Sequence, residues 1–127
     1  MQTRDVARKQ LGGFFERCKN LPGNISAAFS TGGFVWAGDS CEKALTEKEA
    51  AELYASLGEN ASEPERDSAS GALHFTYTED GVSREVWYAD GETLYLWKQT
   101  AKEYGITHFS LWKAGGNAEE SLRNFVR

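Results

Sequence analysis

The chain has 127 residues, about the length of one domain. Apolar residues make up 40% and aromatic residues 13%, which excludes a disordered chain. Nineteen acidic and 14 basic residues give a net charge of −5, and this argues against a nucleic-acid partner, because phosphate neutralisation requires clustered Lys and Arg. No apolar run approaches the roughly 20 residues that cross a bilayer, so we expect no membrane partner.

Cysteine and histidine usage predicts neither a metal nor another cofactor. The two cysteines, Cys18 and Cys41, are too few for a disulfide framework, although a single bridge between them stays open. His74 and His108 have no partners at the spacing of a zinc site.

The first third of the chain predicts a helix and then a buried strand. Apolar positions recur at helical spacing over residues 3–19, and Pro22 ends this helix. Residues 25–31 are small and apolar at both parities, which is typical of a strand covered on both faces. We expect Gly32-Gly33 to break that strand and residues 37–45 to form a loop.

The middle third predicts a helix, a loop and a hairpin. Thr46-Glu-Lys-Glu49 has the pattern of a capping box, and Gly58 is the expected end of the helix. Residues 59–71 are polar and small, as in a loop. The stretches 73–77 and 82–88 alternate at period two around residues 78–81, which predicts a β-hairpin.

The last third predicts helix, strand and short helix. Asp90 is a candidate N-cap for a helix that ends at Gly105. The strand at 106–112 carries Phe109 and Leu111 at one parity and small polar residues plus Trp112 at the other. Such a strand suits a barrel, with the aliphatic side towards the helices and the other side towards the lumen. A short helix follows from residue 117.

Four stretches, in order, resemble the C-terminal portion of glycoside hydrolase family 18, which includes chitinases and spore-cortex peptidoglycan glycosidases. They cover about residues 5–120. Phe29-Ser-Thr-Gly-Gly-Phe-Val-Trp36 resembles the seventh barrel strand, and residues 102–113 resemble the eighth strand with the helix end before it. Residues 43–53 resemble the first helix of the insertion domain, and residues 75–90, with Glu85-Val-Trp-Tyr-Ala-Asp90, resemble its last hairpin.

The resemblance implies an α/β fold that is part of a (β/α)8 TIM barrel. The chain would supply the last two parallel strands and their helices from residues 3–36 and 90–127, with a small α+β insertion subdomain at 37–89 that contains the hairpin. The whole would be a single partial domain, because a complete barrel needs about 250 residues.

The resemblance also implies sugar-binding residues. Trp112 matches the tryptophan that forms the floor of the subsite for the sugar being cleaved, and aromatic faces stack on the apolar faces of sugar rings. Trp87, Tyr88 and Asp90 lie where the family builds one wall of the cleft, and Trp36 lies at the mouth of the seventh strand. The structural alternatives are a core role for the aromatic residues and helix capping for Asp90.

Two departures from the family bear on activity. Gly32 stands where the family usually has a tyrosine. The catalytic Asp-x-x-Asp-x-Asp-x-Glu signature is absent from the 127 residues. In the family its glutamate protonates the leaving oxygen while the N-acetyl group of the substrate acts as nucleophile. We therefore predict no catalytic residue in this chain and no hydrolysis by the chain alone.

Three functional hypotheses follow. The chain is the C-terminal part of a family 18 hydrolase acting on N-acetylglucosamine-containing glycans, with the missing N-terminal barrel portion or a second copy as partner. Alternatively, it is a non-catalytic carbohydrate-binding module derived from that fold. A third reading is a small α+β domain without a sugar role, in which residues 25–31 and 106–112 would not be parallel neighbours.

The sequence is compatible with two cellular locations. The first residues contain no apolar signal-peptide core, which fits the cytoplasm for this chain; a longer native chain would belong outside the cell or to the spore or cell wall.

Overall fold

The computed structural model describes Arg17, residues 25–112 and residues 115–126 of an α/β protein with two β-sheets. The predicted helix at 3–19 and Cys18 lie outside these ranges, apart from Arg17. In chain order the elements are β1 Ser26–Ser30, β2 Gly32–Ala37, β3 Ser40–Leu45, α1 Glu47–Leu57, a 3-10 turn Gly58–Asn60, β4 Glu65–Arg66, β5 Leu73–Glu79, β6 Val82–Ala89, α2 Gly91–Glu103, β7 His108–Trp112 and α3 Glu119–Val126.

The smaller sheet consists of β1 and β7, which pair in parallel from Ser26–His108 to Ser30–Trp112. The prediction that residues 25–31 and 106–112 are parallel neighbours is confirmed, and this contradicts the third reading of the sequence. Parallel neighbours need a long crossover, here supplied by the larger sheet and α2.

Among the residues that the structure describes, one face of β1 is covered. Ala27 and Phe29 are buried against α2, where the Phe29 and Trp97 ring centroids lie 5.8 Å apart. Ser26 and Ala28 point the other way and are exposed. Within the described chain, cover on both faces of this strand, as predicted, is seen on one face, because no layer lies over Ser26 and Ala28 there.

The larger sheet has five antiparallel strands in the order β3-β2-β6-β5-β4. The predicted hairpin is confirmed as β5 and β6. Its turn is Asp80-Gly81, and φ is positive at both residues (53° and 76°), the conformation of a type I′ turn whose twist matches the strands. The predicted loop at 59–71 contains the 3-10 turn and β4.

The predicted loop at 37–45 is wrong, because residues 40–45 form β3, which pairs with β2. Five of the six β3 residues are exposed, so the strand has no apolar alternation by which a sequence would reveal it. Gly32 does end the first strand: its φ of +78° turns the chain from β1 into β2. Gly33, by contrast, lies inside β2.

Helix α1 covers one face of the larger sheet. The predicted capping box is confirmed, since the Thr46 hydroxyl accepts from the Glu49 backbone N–H and the Glu49 carboxylate accepts from the Thr46 backbone N–H. The core beneath the helix contains the fully buried Val35, Phe75 and Val86.

Side chains from α1 and α2 hold α3 in place. The buried Glu47 carboxylate accepts from the Ala118 backbone N–H at 3.1 Å and from the Ser121 hydroxyl at 2.5 Å. The Lys98 ammonium donates to the Phe125 carbonyl oxygen at 2.6 Å. These bonds satisfy backbone groups at both ends of α3 that the helix itself leaves unpaired.

Two further observations concern membrane-spanning helices and cysteine. In the part of the chain that the structure describes, no helix combines the length and apolar character needed to cross a membrane. Cys41 is a free, exposed cysteine.

Candidate functional site

A cavity of about 290 Å³ lies where the carboxyl ends of β1 and β7 meet the larger sheet. We call it the junction cavity. Its lining combines hydroxyl, carboxylate and aromatic side chains: Ser30, Thr31, Phe34, Thr46, Glu49 and Trp112, with Gly33, Ala44, Leu45 and Gly115 between them. The carboxyl ends of parallel strands are where α/β folds place their ligands.

Trp112 is the last residue of β7 and the most prominent aromatic group of the junction cavity. Its side chain is 75% exposed. Its carbonyl oxygen accepts from the Thr31 backbone N–H at 3.0 Å, which fixes the strand end. The described chain thus presents Trp112 to solvent rather than packing it in a core.

The walls of the junction cavity are tied to one another through main-chain contacts. The Lys48 backbone N–H donates to the Gly116 carbonyl oxygen at 2.9 Å. A Cβ on Gly116 would lie 2.4 Å from the Thr46 Cβ, so only glycine allows the segment after β7 to approach α1 so closely. Gly116 is thus in direct contact with the start of α1.

Trp36 and Trp87 lie on the face of the larger sheet opposite α1, and both are half-buried. The Trp87 ring stacks on His74, with centroids 4.4 Å apart and planes 19° apart. The Trp87 indole N–H donates to Glu85 at 3.4 Å. Trp36 sits directly opposite Glu85 on the neighbouring strand.

His74 was absent from the predicted site although the sequence contained a signal for it. In a hairpin with a two-residue turn at Asp80-Gly81, Glu79 faces Val82, and counting back along both strands brings His74 opposite Trp87. Cross-strand partners lie about 5 Å apart, close enough for two rings to stack.

Tyr88 lies on the other face of β6, towards α1. Its side chain is 8% exposed and meets Phe75 edge-on, with ring centroids 6.3 Å apart. Burial raises the pKa of the Tyr88 hydroxyl, and the nearby Asp90 carboxylate acts in the same direction. Tyr88 thus belongs to the core of the larger sheet, where it fixes β6.

Asp90 joins the two halves of the structure. It caps α2 by accepting from the Thr93 backbone N–H at 2.9 Å, and its two oxygens accept from Arg66 at 3.0 and 2.9 Å. Burial opposes ionisation of this carboxyl group, but hydrogen bonds from Arg66 and Thr93 outweigh it, so the pKa of Asp90 lies below its usual value. Arg66 also donates to the Gly71 carbonyl oxygen at 2.8 Å.

Two carboxylates of this region have partners within the protein. Glu49 is engaged in its capping box, and Asp90 is neutralised by Arg66. Within residues 25–112 and 115–126, no three His, Cys, Asp or Glu side chains are grouped as a metal site requires. The exposed ring of Trp112 beside the hydroxyl and carboxylate groups of the junction cavity suits a hydroxyl-rich ligand.

No family model and no curated protein sequence matches the chain. Solved structures do. The spore cortex-lytic enzyme SleL of Bacillus cereus superposes on 91% of the chain with a TM-score of 0.74 and 25% identity. The resemblance to the C-terminal portion of glycoside hydrolase family 18 is confirmed.

Other family 18 neighbours share the fold at lower identity. A chitinase from Chromobacterium violaceum matches 78% of the chain, with a TM-score of 0.68 and 23% identity. SleL from Bacillus megaterium matches 91%, with a TM-score of 0.71 and 21% identity. The chain spans less than a third of the length of these enzymes, 28% of either SleL and 31% of the chitinase. These likenesses relate the fold of the chain to the TIM barrel.

Proposed function

We propose that the chain is the C-terminal part of a family 18 glycoside hydrolase that acts on N-acetylglucosamine-containing glycans, either chitin or peptidoglycan. The observation that carries this proposal is Trp112, which is exposed beside the junction cavity at the carboxyl end of a parallel strand. TIM-barrel enzymes bind their substrates at this end of the strands.

The geometry of β1 and β7 supports a partial barrel. On one face the pair packs against α2, and the residues of the other face, among them Ser26, Ala28, His108 and Ser110, are exposed. Each strand pairs with one neighbour in the described chain and so offers its other edge for pairing. The remaining barrel strands, from an N-terminal portion or from a second copy, would cover both.

Within this proposal Trp112, Trp36 and Trp87 contact the glycan. Tyr88 and Asp90 complete the predicted set, but direct contact of either with a sugar stays a prediction. The core position of Tyr88 and the Arg66 pairing of Asp90 support an indirect role, in which both residues fix the end of β6 that carries Trp87. The chain alone is expected to be inactive, because its sequence lacks the catalytic signature.

Binding to N-acetylglucosamine oligomers tests the proposal, with isothermal titration as the readout. Covering about 60 Å² of the Trp112 ring contributes about 1.5 kcal/mol at 25 cal/mol per Å². Trp112→Ala should therefore weaken binding about tenfold. The control is Val82→Ala, an exposed apolar truncation away from the junction cavity, which should leave affinity unchanged. Equal affinity of Trp112→Ala and the wild type would refute the assignment.

The second candidate, a carbohydrate-binding module, is favoured by the same exposed Trp112 together with the missing signature. The two candidates differ in the size of the native protein. An immunoblot of the source organism that detects a band several times heavier than 14.1 kDa would support the hydrolase, and a band at 14.1 kDa would support the module.

A further inference from the structure

We infer that Glu47 is a positioning residue for glycan binding, which holds two walls of the junction cavity relative to each other without contacting the ligand. It acts through its hydrogen bonds to Ala118 and Ser121, which we call the Glu47 tie. This inference rests on the proposed function, in which the junction cavity holds a sugar beside Trp112, and it adds to that site a residue outside the cavity lining.

Glu47 lies behind one wall of the junction cavity. Its neighbours Thr46 and Glu49 line the cavity at the start of α1. The Glu47 side chain is buried, and hydrogen bonds within the protein use both of its carboxylate oxygens. A sugar in the cavity can therefore contact Thr46 and Glu49, whereas an effect of Glu47 on binding has to pass through other residues.

The second wall that Glu47 holds comes from residues 115–118. Gly115 lines the junction cavity, and its backbone N–H donates to the side-chain oxygen of the buried Asn117 at 3.1 Å. The next residue, Ala118, donates its backbone N–H to the Glu47 carboxylate at 3.1 Å. A short path through these two hydrogen bonds therefore connects Glu47 to the cavity wall at Gly115.

This wall needs support because it begins with two glycines. The backbone angle φ is +135° at Gly115 and +66° at Gly116. Glycine loses more backbone freedom on folding than any other residue, so a glycine pair keeps one conformation only where neighbouring groups hold it. The Glu47 tie and the bond from the Lys48 backbone N–H to the Gly116 carbonyl oxygen supply these contacts, and both come from the first turn of α1.

The Glu47 tie lies where the starts of three helices meet. Glu47 is the first residue of α1, and Ser121 lies in the first turn of α3. Gly91, the first residue of α2, packs so closely on α3 that a Cβ at position 91 would lie 2.7 Å from the Ser121 Cα. Each helix start carries a partial positive charge, which a nearby carboxylate stabilises. These contacts favour the observed position of the Glu47 side chain over one turned towards solvent.

Loss of the Glu47 tie should lower glycan affinity, because the ligand would then have to order the glycine pair on binding. For the N-acetylglucosamine hexamer, Glu47→Ala should weaken binding about tenfold, the factor that corresponds to ordering about one backbone residue. Glu47→Gln should retain most of the affinity, because its amide oxygen can accept from Ala118 and its amide nitrogen can donate to the Ser121 hydroxyl oxygen. Isothermal titration measures both effects.

A matched control separates an effect on position from an effect on stability. Trp97→Phe removes a buried hydrogen bond to the Ser70 carbonyl oxygen, so it should lower stability about as much as Glu47→Ala, but Trp97 lies outside the lining of the junction cavity. Trp97→Phe should therefore bind the hexamer as the wild type does. Equal affinities of the folded Glu47→Ala and Trp97→Phe variants would overturn the inference.

Two further measurements cover the case in which Glu47→Ala does not fold. Gly116→Ala keeps Glu47 but displaces the same wall, because its Cβ would lie 2.4 Å from the Thr46 Cβ, and it should also weaken hexamer binding about tenfold. In the wild type, the Gly115 amide should be protected from hydrogen exchange before any hexamer is added. Wild-type affinity of a folded Gly116→Ala variant, or an unprotected Gly115 amide, would contradict the inference.

A double substitution distinguishes this inference from the proposed function. In the Trp112→Ala background, Glu47→Ala should weaken hexamer binding much less than in the wild type, because the ring that shares the cavity with the displaced wall is gone. An equal factor in both backgrounds would refute a role at this site. If Trp112→Ala weakens binding while Glu47→Ala binds as the wild type does, the inference fails and the proposed function stands. If the wild type binds no oligomer, both fail.

Discussion

Replacing Asp90 by alanine removes two interactions at once. The side chain caps α2 through the Thr93 backbone N–H, and it pairs with Arg66 through both carboxylate oxygens. Arg66 also reaches the Gly71 carbonyl oxygen, so the pair links the segment before β5 to the start of α2. Asp90→Ala should therefore loosen the joint between the two sheets.

The size of the effect follows from these contacts. Loss of an N-cap costs about 1 kcal/mol. The Arg66 and Asp90 side chains are 28% and 24% exposed, so loss of their pairing costs about 1–2 kcal/mol, less than for a fully buried pair. At about 3–5 °C per kcal/mol for a domain of this size, the midpoint of thermal unfolding should fall by about 6–15 °C at neutral pH.

The effect should depend on pH. The folded-state pKa of Asp90 lies below its unfolded value of about 3.9, since the hydrogen bonds from Arg66 and Thr93 outweigh the opposing effect of burial. Such a group adds stability above the unfolded pKa, and that stability is lost as the pH falls through the folded pKa. The stability difference between wild type and Asp90→Ala should shrink over this acidic window.

Circular dichroism melts of wild type, Asp90→Ala, Arg66→Met and the double variant provide the assay, at neutral pH and at about pH 3. The cycle isolates the pair. Arg84→Met removes a pair with Glu42 that has one hydrogen bond and caps no helix, so it should have a smaller effect. The reasoning fails if Asp90→Ala melts with the wild type at neutral pH, or if the difference is the same at both pH values.

Three further predictions concern close backbone contacts and buried hydrogen bonds. Gly33→Ala should lower the free energy of unfolding in urea by about 2–3 kcal/mol, because its Cβ would lie 1.9 Å from a carbonyl oxygen of β6. The control Gly38→Ala, at a position in open space, should lower it by only about 1 kcal/mol. Equal losses for the two variants would contradict this prediction. Glu47→Ala should cost about 1–3 kcal/mol and speed amide exchange in α3, and unchanged exchange would refute its tethering role. Trp97→Phe removes the 2.6 Å hydrogen bond from the Trp97 indole N–H to the buried Ser70 carbonyl oxygen, so the free energy of unfolding should fall by about 1–3 kcal/mol. An unchanged free energy of unfolding would contradict this prediction.

Local signals in the sequence predicted the elements whose structure is determined locally. Thr46 and Glu49 form a capping box three residues apart, and the helix begins between them. The turn at Asp80-Gly81 fixes the hairpin and its register. The parallel pairing of β1 and β7 came instead from the resemblance, because nothing within either strand specifies a partner about 80 residues away.

Local sequence signals did not predict strand β3 or the course of β2. Ser40–Leu45 contains Glu, Lys and Ala, which disfavour strands, and it is a strand because β2 offers an edge to pair with. Gly32 looks like a simple break in sequence, whereas its positive φ redirects the chain from one sheet to another. Both features depend on tertiary pairing.

For the candidate site, the family resemblance made Trp112 a candidate, and the structure shows that its side chain is exposed. The surroundings of Trp87 were not predicted. Composition does not show which face of the sheet an aromatic side chain of a strand occupies. The register with the neighbouring strands decides this. Register places Tyr88 in the core and brings Trp87 onto His74. The adjacent residues Trp87 and Tyr88 therefore have different environments.

The pairing of Gly32 with Ala89 has an evolutionary consequence. Residues 32–89 connect β1 to α2, and the two ends of this segment are neighbours in the larger sheet. The segment encloses a hydrophobic cluster of its own around Val35 and Phe75. A segment whose two ends meet can be lengthened, shortened or exchanged as a cassette without moving the strands that flank it. Recombination at these two points would give hybrids that keep β1 and β7 while acquiring a different wall beside Trp112.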